Sequence, residues 1–207
     1  MLKTEARRSS ARSSGGRQMI SLDRPKLVVT LLASLYFGDV ILHPTKWRLL
    51  DSFNLLIHEA GHPLFGFFGE FMGFAGGTLM QLLIPVAFLV SFFRQGQFFS
   101  SSLMLFWLGQ SLVNISIYSG DAVAMELPLF GAGDRIHDWN WMLGELNLLE
   151  ATPVIAGAFR LFGILCIVSG GLACLRLTGL KLPSSTIAMT SSQTSSQRSR
   201  KGKAFRR

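Results

Sequence analysis

Apolar positions in this chain fall in long unbroken blocks rather than alternating with polar ones. Four blocks stand out: Leu27 to Leu42, Phe71 to Phe93, Leu103 to Met125, and Pro153 to Leu177. A straight bilayer crossing takes about 20 apolar residues, so each block predicts a transmembrane helix, the first being the shortest. A fifth block, Leu49 to Phe68, is less apolar. It predicts a helix buried by its neighbours, because lipid contact would leave its polar groups unpaired. The expected fold is all-α: a multi-pass integral membrane bundle of four to six spans, in a bacterial inner membrane or an organelle membrane.

Composition agrees with that pattern. The 207 residues are 49% hydrophobic, with a mean hydropathy of +0.38, which belongs to the membrane class. Charge is segregated. Residues 1–26 hold seven Lys/Arg and two acids, residues 179–207 hold seven Lys/Arg and no acid, and residues 27–178 hold six basic and ten acidic residues. The net charge of +8 therefore belongs to the tails. Both tails are Ser-rich without hydrophobic periodicity and are expected to be disordered. Their expected partner is anionic lipid at the cytoplasmic surface, and no specific nucleic acid is expected. Three segments follow: a basic tail over 1–26, a membrane-embedded domain over 27–178, and a second basic tail over 179–207. Two basic tails both favour the cytoplasm, which requires an even number of crossings, whereas five blocks are odd. Cys166 and Cys174 share the last block. Eight residues along a helix is about 12 Å, beyond disulfide reach, so both are expected to pack as small apolar residues.

Chemistry concentrates in the fifth block, at His58-Glu59-Ala60-Gly61-His62. Two histidines four apart differ by about 40° around a helix, so both imidazoles can reach one ion. Glu59 then directs its carboxylate at water activated by the metal, whose pKa zinc lowers to about 7. Three ionisable groups within five residues of an apolar block mark a functional site, since such groups are costly in a bilayer. Catalytic zinc takes three protein ligands, and the motif supplies two. Candidates for the third are Asp121, His137, Asp138, Asp134 and Glu126. Asp121 is favoured: one span separates its helix from the motif helix, so the two run parallel, and Asp121 and His62 fall at similar depth. His137 is a possible ligand or transition-state donor folding back from the segment Glu126 to Glu150, and Asp138 a partner that orients a ligating histidine. Trp139 and Trp141 suit the membrane interface.

Three further features bear on this helix. Pro63 removes a hydrogen bond to the Glu59 carbonyl; the kink either opens a wet pocket or spoils the two-histidine geometry, and the pocket is the favoured outcome. Gly69, Gly73 and Gly77 form two G-x-x-x-G steps that let helices approach closely, with an extended Gly76-Gly77 strand for a substrate as the alternative. Gln81 and Pro85 mark a polar break deeper in the same block.

These residues resemble the site-2 protease family of membrane-embedded zinc metallopeptidases. His58, Glu59 and His62 match the family's first motif. Asn114, seven residues before Asp121, is similar to its second, an Asn/Pro-rich segment ending in Leu-Asp-Gly, although here Gly120-Asp121-Ala122 stands in that place and no proline intervenes. The resemblance implies hydrolysis of a peptide bond in or beside the bilayer, on a membrane-protein substrate, with Zn2+ held by His58, His62 and Asp121 and Glu59 as general base. Asn114 becomes a further ligand or second-layer candidate. The alternative is a non-catalytic membrane protein that keeps the site to bind a metal or a partner, which needs the histidines but not Glu59.

Overall fold

A computed structural model describes residues 22–127 and 136–179. The expectations for the basic tails fall almost entirely on 1–21 and 180–207, outside those residues. Among the described residues all regular structure is helical: α1 (Arg24–Leu42), α2 (Leu49–Gly66), α3 (Glu70–Arg94), α4 (Phe98–Gly120), α5 (Asp138–Glu145) and α6 (Thr152–Leu177), with a 3-10 turn at Leu149–Ala151 ahead of α6. Four helices, α1, α3, α4 and α6, are long and apolar enough to cross a membrane. The ends follow local chemistry. The Asp23 carboxylate accepts the Lys26 amide at the start of α1, the Asp51 carboxylate accepts the Arg48 amide at the start of α2, and Pro153 opens α6, where no amide partner is needed.

Helix directions bear on the parity of the crossings. Lys26 lies over Phe99 and Phe37 stacks on Phe106, so α1 runs parallel to α4. The Gln110 amide donates to Asp51 at 2.7 Å and Tyr118 meets His58, so α2 is parallel to α4 as well. The motif helix therefore continues the direction of α1 instead of turning back, an arrangement that fits four crossings from the five blocks. The Asp23 amide donates to the Thr178 carbonyl at 2.9 Å, which puts the two ends of the bundle side by side. We call that side basal and the other apical. The step between α1 and α2 is locked by Arg48, whose buried guanidinium donates twice to the Asp39 carboxylate, at 2.8 and 3.2 Å.

The α2 helix is inside-out by the standard of a water-soluble protein. Its buried positions are Asp51, Asn54, His58 and Gly61, while Leu49, Phe53, Leu56, Leu64 and Phe67 are exposed. Apolar out and polar in is the arrangement that lipid, not water, stabilises. The buried polar groups are partnered across the bundle: Asp51 with Gln110, and Asn54 with the Trp107 indole at 2.8 Å.

Small residues bring the helices together. Gly109 of α4 faces Gly163 of α6 so closely that an added Cβ on either would meet the other's carbonyl oxygen. Beside this seam Val40, Phe106, Val113, Ile167 and Cys174 form the buried core. Both cysteines are free. Of the G-x-x-x-G glycines, Gly73 faces Gly66 and Gly77 faces the His58 ring of α2; beside them Gly61 and Gly76 meet backbone to backbone. Gly76 and Gly77 are helical, not an extended strand. The turn from α2 to α3 needs a glycine at Gly69, whose φ is +109°.

Candidate metal centre

The motif behaves as its spacing requires. Pro63 leaves α2 unbroken through Gly66, and the two imidazoles stand side by side with ring centres 4.9 Å apart. His58 is 5% exposed, so its nitrogens are served by protein and not by bulk solvent. The His62 ring donates from Nδ1 to the Gly73 carbonyl at 2.8 Å, which fixes the tautomer and leaves the Nε2 lone pair for another partner.

That partner comes from outside the helix. Asp138, the first residue of α5, puts Oδ2 3.0 Å from His58 Nε2 and 3.4 Å from His62 Nε2. Ligand atoms of His58, His62 and Asp138 all lie within 4.8 Å of one another, a group that can hold a metal ion. Donors bound at about 2.0–2.1 Å around a tetrahedral ion are separated by roughly 3.3 Å. The two nitrogen–carboxylate distances bracket that value, and the whole group lies within 4.8 Å, so an ion would need only to draw the donors together.

Several contacts hold Asp138 in place. The Tyr118 hydroxyl donates to its Oδ2 at 3.1 Å and accepts its backbone amide at 3.2 Å. Trp141 stacks on Phe74 of α3, and Trp139 meets Phe159 of α6 edge-on. Both tryptophans pack against other helices rather than serving only as interfacial anchors. The short α5 thus bridges the apical ends of the bundle, directly over the histidines.

Asp121, the sequence-based choice for third ligand, does not belong to the group. It is the residue that ends α4, and its carboxylate turns into the following loop to accept the amides of Glu126 and Leu127 at 2.9 and 3.0 Å. α2 and α4 do run parallel, but helix direction fixes depth and not the direction of a side chain at a helix end. His137 is likewise not in the group. It caps α5 by accepting the Asn140 amide at Nδ1, and its Nε2 faces Asp121 Oδ2 at 3.4 Å. Burial lowers its pKa from the ordinary histidine value, against the opposing pull of the Asp121 and Asp138 carboxylates. Glu126 is exposed, and Asp134 lies outside the described residues. His43, on the α1–α2 loop, pairs with Asp39 at 2.8 Å, away from the group.

Beside the group lies a cavity of about 480 Å³ that reaches from the Pro44–Trp47 loop to His58, Glu59 and Tyr118. Asn114 and Gln81 line it too, joined by a hydrogen bond of 2.9 Å from the Gln81 amide to Asn114 Oδ1. Asn114 is thus a wall residue, and Gln81 adds a polar group to the same wall, while α3 continues unbroken past Gln81 and Pro85. Tyr118 carried no signal in the sequence: a lone tyrosine in an apolar block looks like core packing. Compared with protein-family profiles, curated proteins and solved structures, the chain matches none.

Proposed function

We propose that this protein is a membrane-embedded zinc metallopeptidase of the H-E-x-x-H type, hydrolysing a peptide bond of a membrane-protein substrate. The observation that carries this reading is the convergence of His58, His62 and Asp138 beside a cavity that Glu59 lines. Two histidines and one carboxylate are a donor set of the catalytic zinc class, which keeps a fourth position open. Zinc held there supplies Lewis acidity, polarising a peptide carbonyl and acidifying water.

The chain's own residues do the rest. Glu59, next to a ligating histidine but not itself in the ligand group, takes a proton from the attacking water on its carboxylate and returns it to the departing amine nitrogen. The Gly73 carbonyl and the Tyr118 hydroxyl hold His62 and Asp138 in orientation. The cavity admits a peptide segment from the side of the α1–α2 loop, and its apolar wall, including Leu55 and Ile117, limits water.

The test compares wild type, Glu59→Gln and His58→Ala in proteoliposomes, measuring bound zinc and cleavage of transmembrane peptides. Glu59→Gln keeps its zinc and loses about 10²–10⁴-fold in rate; His58→Ala loses both. A Glu59→Gln variant that cleaves at the wild-type rate overturns the peptidase reading and favours a non-catalytic metal-binding protein.

A further inference from the structure

The ligating carboxylate stands on an eight-residue helix remote in sequence from the histidines. A metal ligand must be held within about 0.5 Å of its productive position, by neighbours that are themselves fixed. Tyr118 fixes Asp138 from the α4 side. What fixes the residue before it is a separate arrangement.

His137 is 3% exposed. Its Nδ1 accepts the Asn140 amide, so the ring proton sits on Nε2. That Nε2 has no hydrogen-bond partner of ordinary length, and its N–H faces the Asp121 Oδ2 carboxylate oxygen at 3.4 Å, long for a hydrogen bond. Asp121 is itself immobilised by two backbone amides, those of Glu126 and Leu127. A second link runs alongside: the Asn140 side chain donates to the Ala122 carbonyl at 2.8 Å. The end of α4 is therefore joined to the start of α5 at two points, from the adjacent Asp121 and Ala122 to His137 and Asn140, about one helical turn apart. We propose that Asp121 and His137 form a clasp between α4 and α5 that positions Asp138 over His58 and His62. Neither residue ligates the metal; both act through Asp138. The inference rests on the metal-site reading above.

Cobalt, which reports its coordination in the visible spectrum, is the probe. Asp121→Asn removes the charge facing His137, and His137→Asn keeps a capping side chain for α5 while losing the reach to Asp121. Each variant, purified in detergent, binds cobalt about 10- to 100-fold more weakly than wild type, the usual cost of losing a residue that orients a ligand, with a shifted visible spectrum. The double variant is no weaker than the worse single one, because the two act as a unit. Wild-type affinity and spectrum in either single variant overturn the clasp, as do additive losses. So does loss of binding in Asp121→Asn as complete as in Asp138→Ala, which makes Asp121 a ligand. If Asp121→Asn does not fold, His137→Asn carries the test. Amide exchange across 136–145 in metal-free protein gives a second readout. It quickens in both variants if the clasp exists and is unchanged if it does not. Failure of the wild type to take up cobalt overturns the metal reading, and the exchange comparison then decides the clasp alone.

Discussion

Gly77→Ala is the sharpest available probe of the proposed metal centre, because it touches His58 without changing any polar group. A methyl group at position 77 stands 2.5 Å from His58 Nε2, 2.6 Å from Cε1 and 2.7 Å from Cδ2. Comfortable contact is about 3.5–4.0 Å, so the imidazole must retreat by roughly 1 Å. Overpacking of this kind costs about 1–3 kcal/mol. Alanine recovers about 1 kcal/mol as the better helix former, so the bundle still folds. The site does not recover. A 1 Å retreat compares with a zinc–nitrogen bond of about 2.0–2.1 Å, and the strain is relieved only when the ring leaves the ion. Strain of 1–3 kcal/mol taken wholly at the metal is a loss of about 5- to 150-fold in affinity. The assay is competition of detergent-purified protein against a chelator of known zinc affinity, with helicity measured in parallel. Gly157→Ala in α6 is the control, since its methyl would meet nothing within 4 Å. Undiminished zinc affinity in Gly77→Ala refutes the placement of His58 against α3 and with it the geometry of the site.

Two further outcomes follow from the same structure. Tyr118→Phe removes both hydrogen bonds to Asp138 and keeps the ring, so zinc affinity falls about 10-fold or more with little change in melting temperature; equal affinity would show that Asp138 is held by α5 packing alone. Single cysteines at Leu22 and Gly179 label from one side of sealed vesicles, and one at Phe67 in the α2–α3 turn labels from the other, in a background with Cys166 and Cys174 replaced; labelling of 22 and 179 from opposite sides would contradict four crossings.

What the sequence determined by itself was the five long helices, though not α5, and half of the site. Block length and polarity are local properties, and they located α1, α3, α4 and α6 within a few residues. Spacing is also local: His58 and His62 share a face because four residues nearly complete a helical turn. The tertiary structure decided the rest. Whether α2 adds a crossing depends on its direction relative to α1, which is set by contacts with α3 and α4 and by the Arg48–Asp39 lock, not by hydropathy. The choice between Asp121 and Asp138 turned on where two carboxylates seventeen residues apart point once α5 folds over the apical end of the bundle. Asp121 is spent on two amides of the loop after α4, whereas Tyr118 and the two tryptophans bring Asp138 to the histidines. Ligands on one helix are written in its period; a ligand brought from another element is fixed by packing, which no single stretch of sequence encodes.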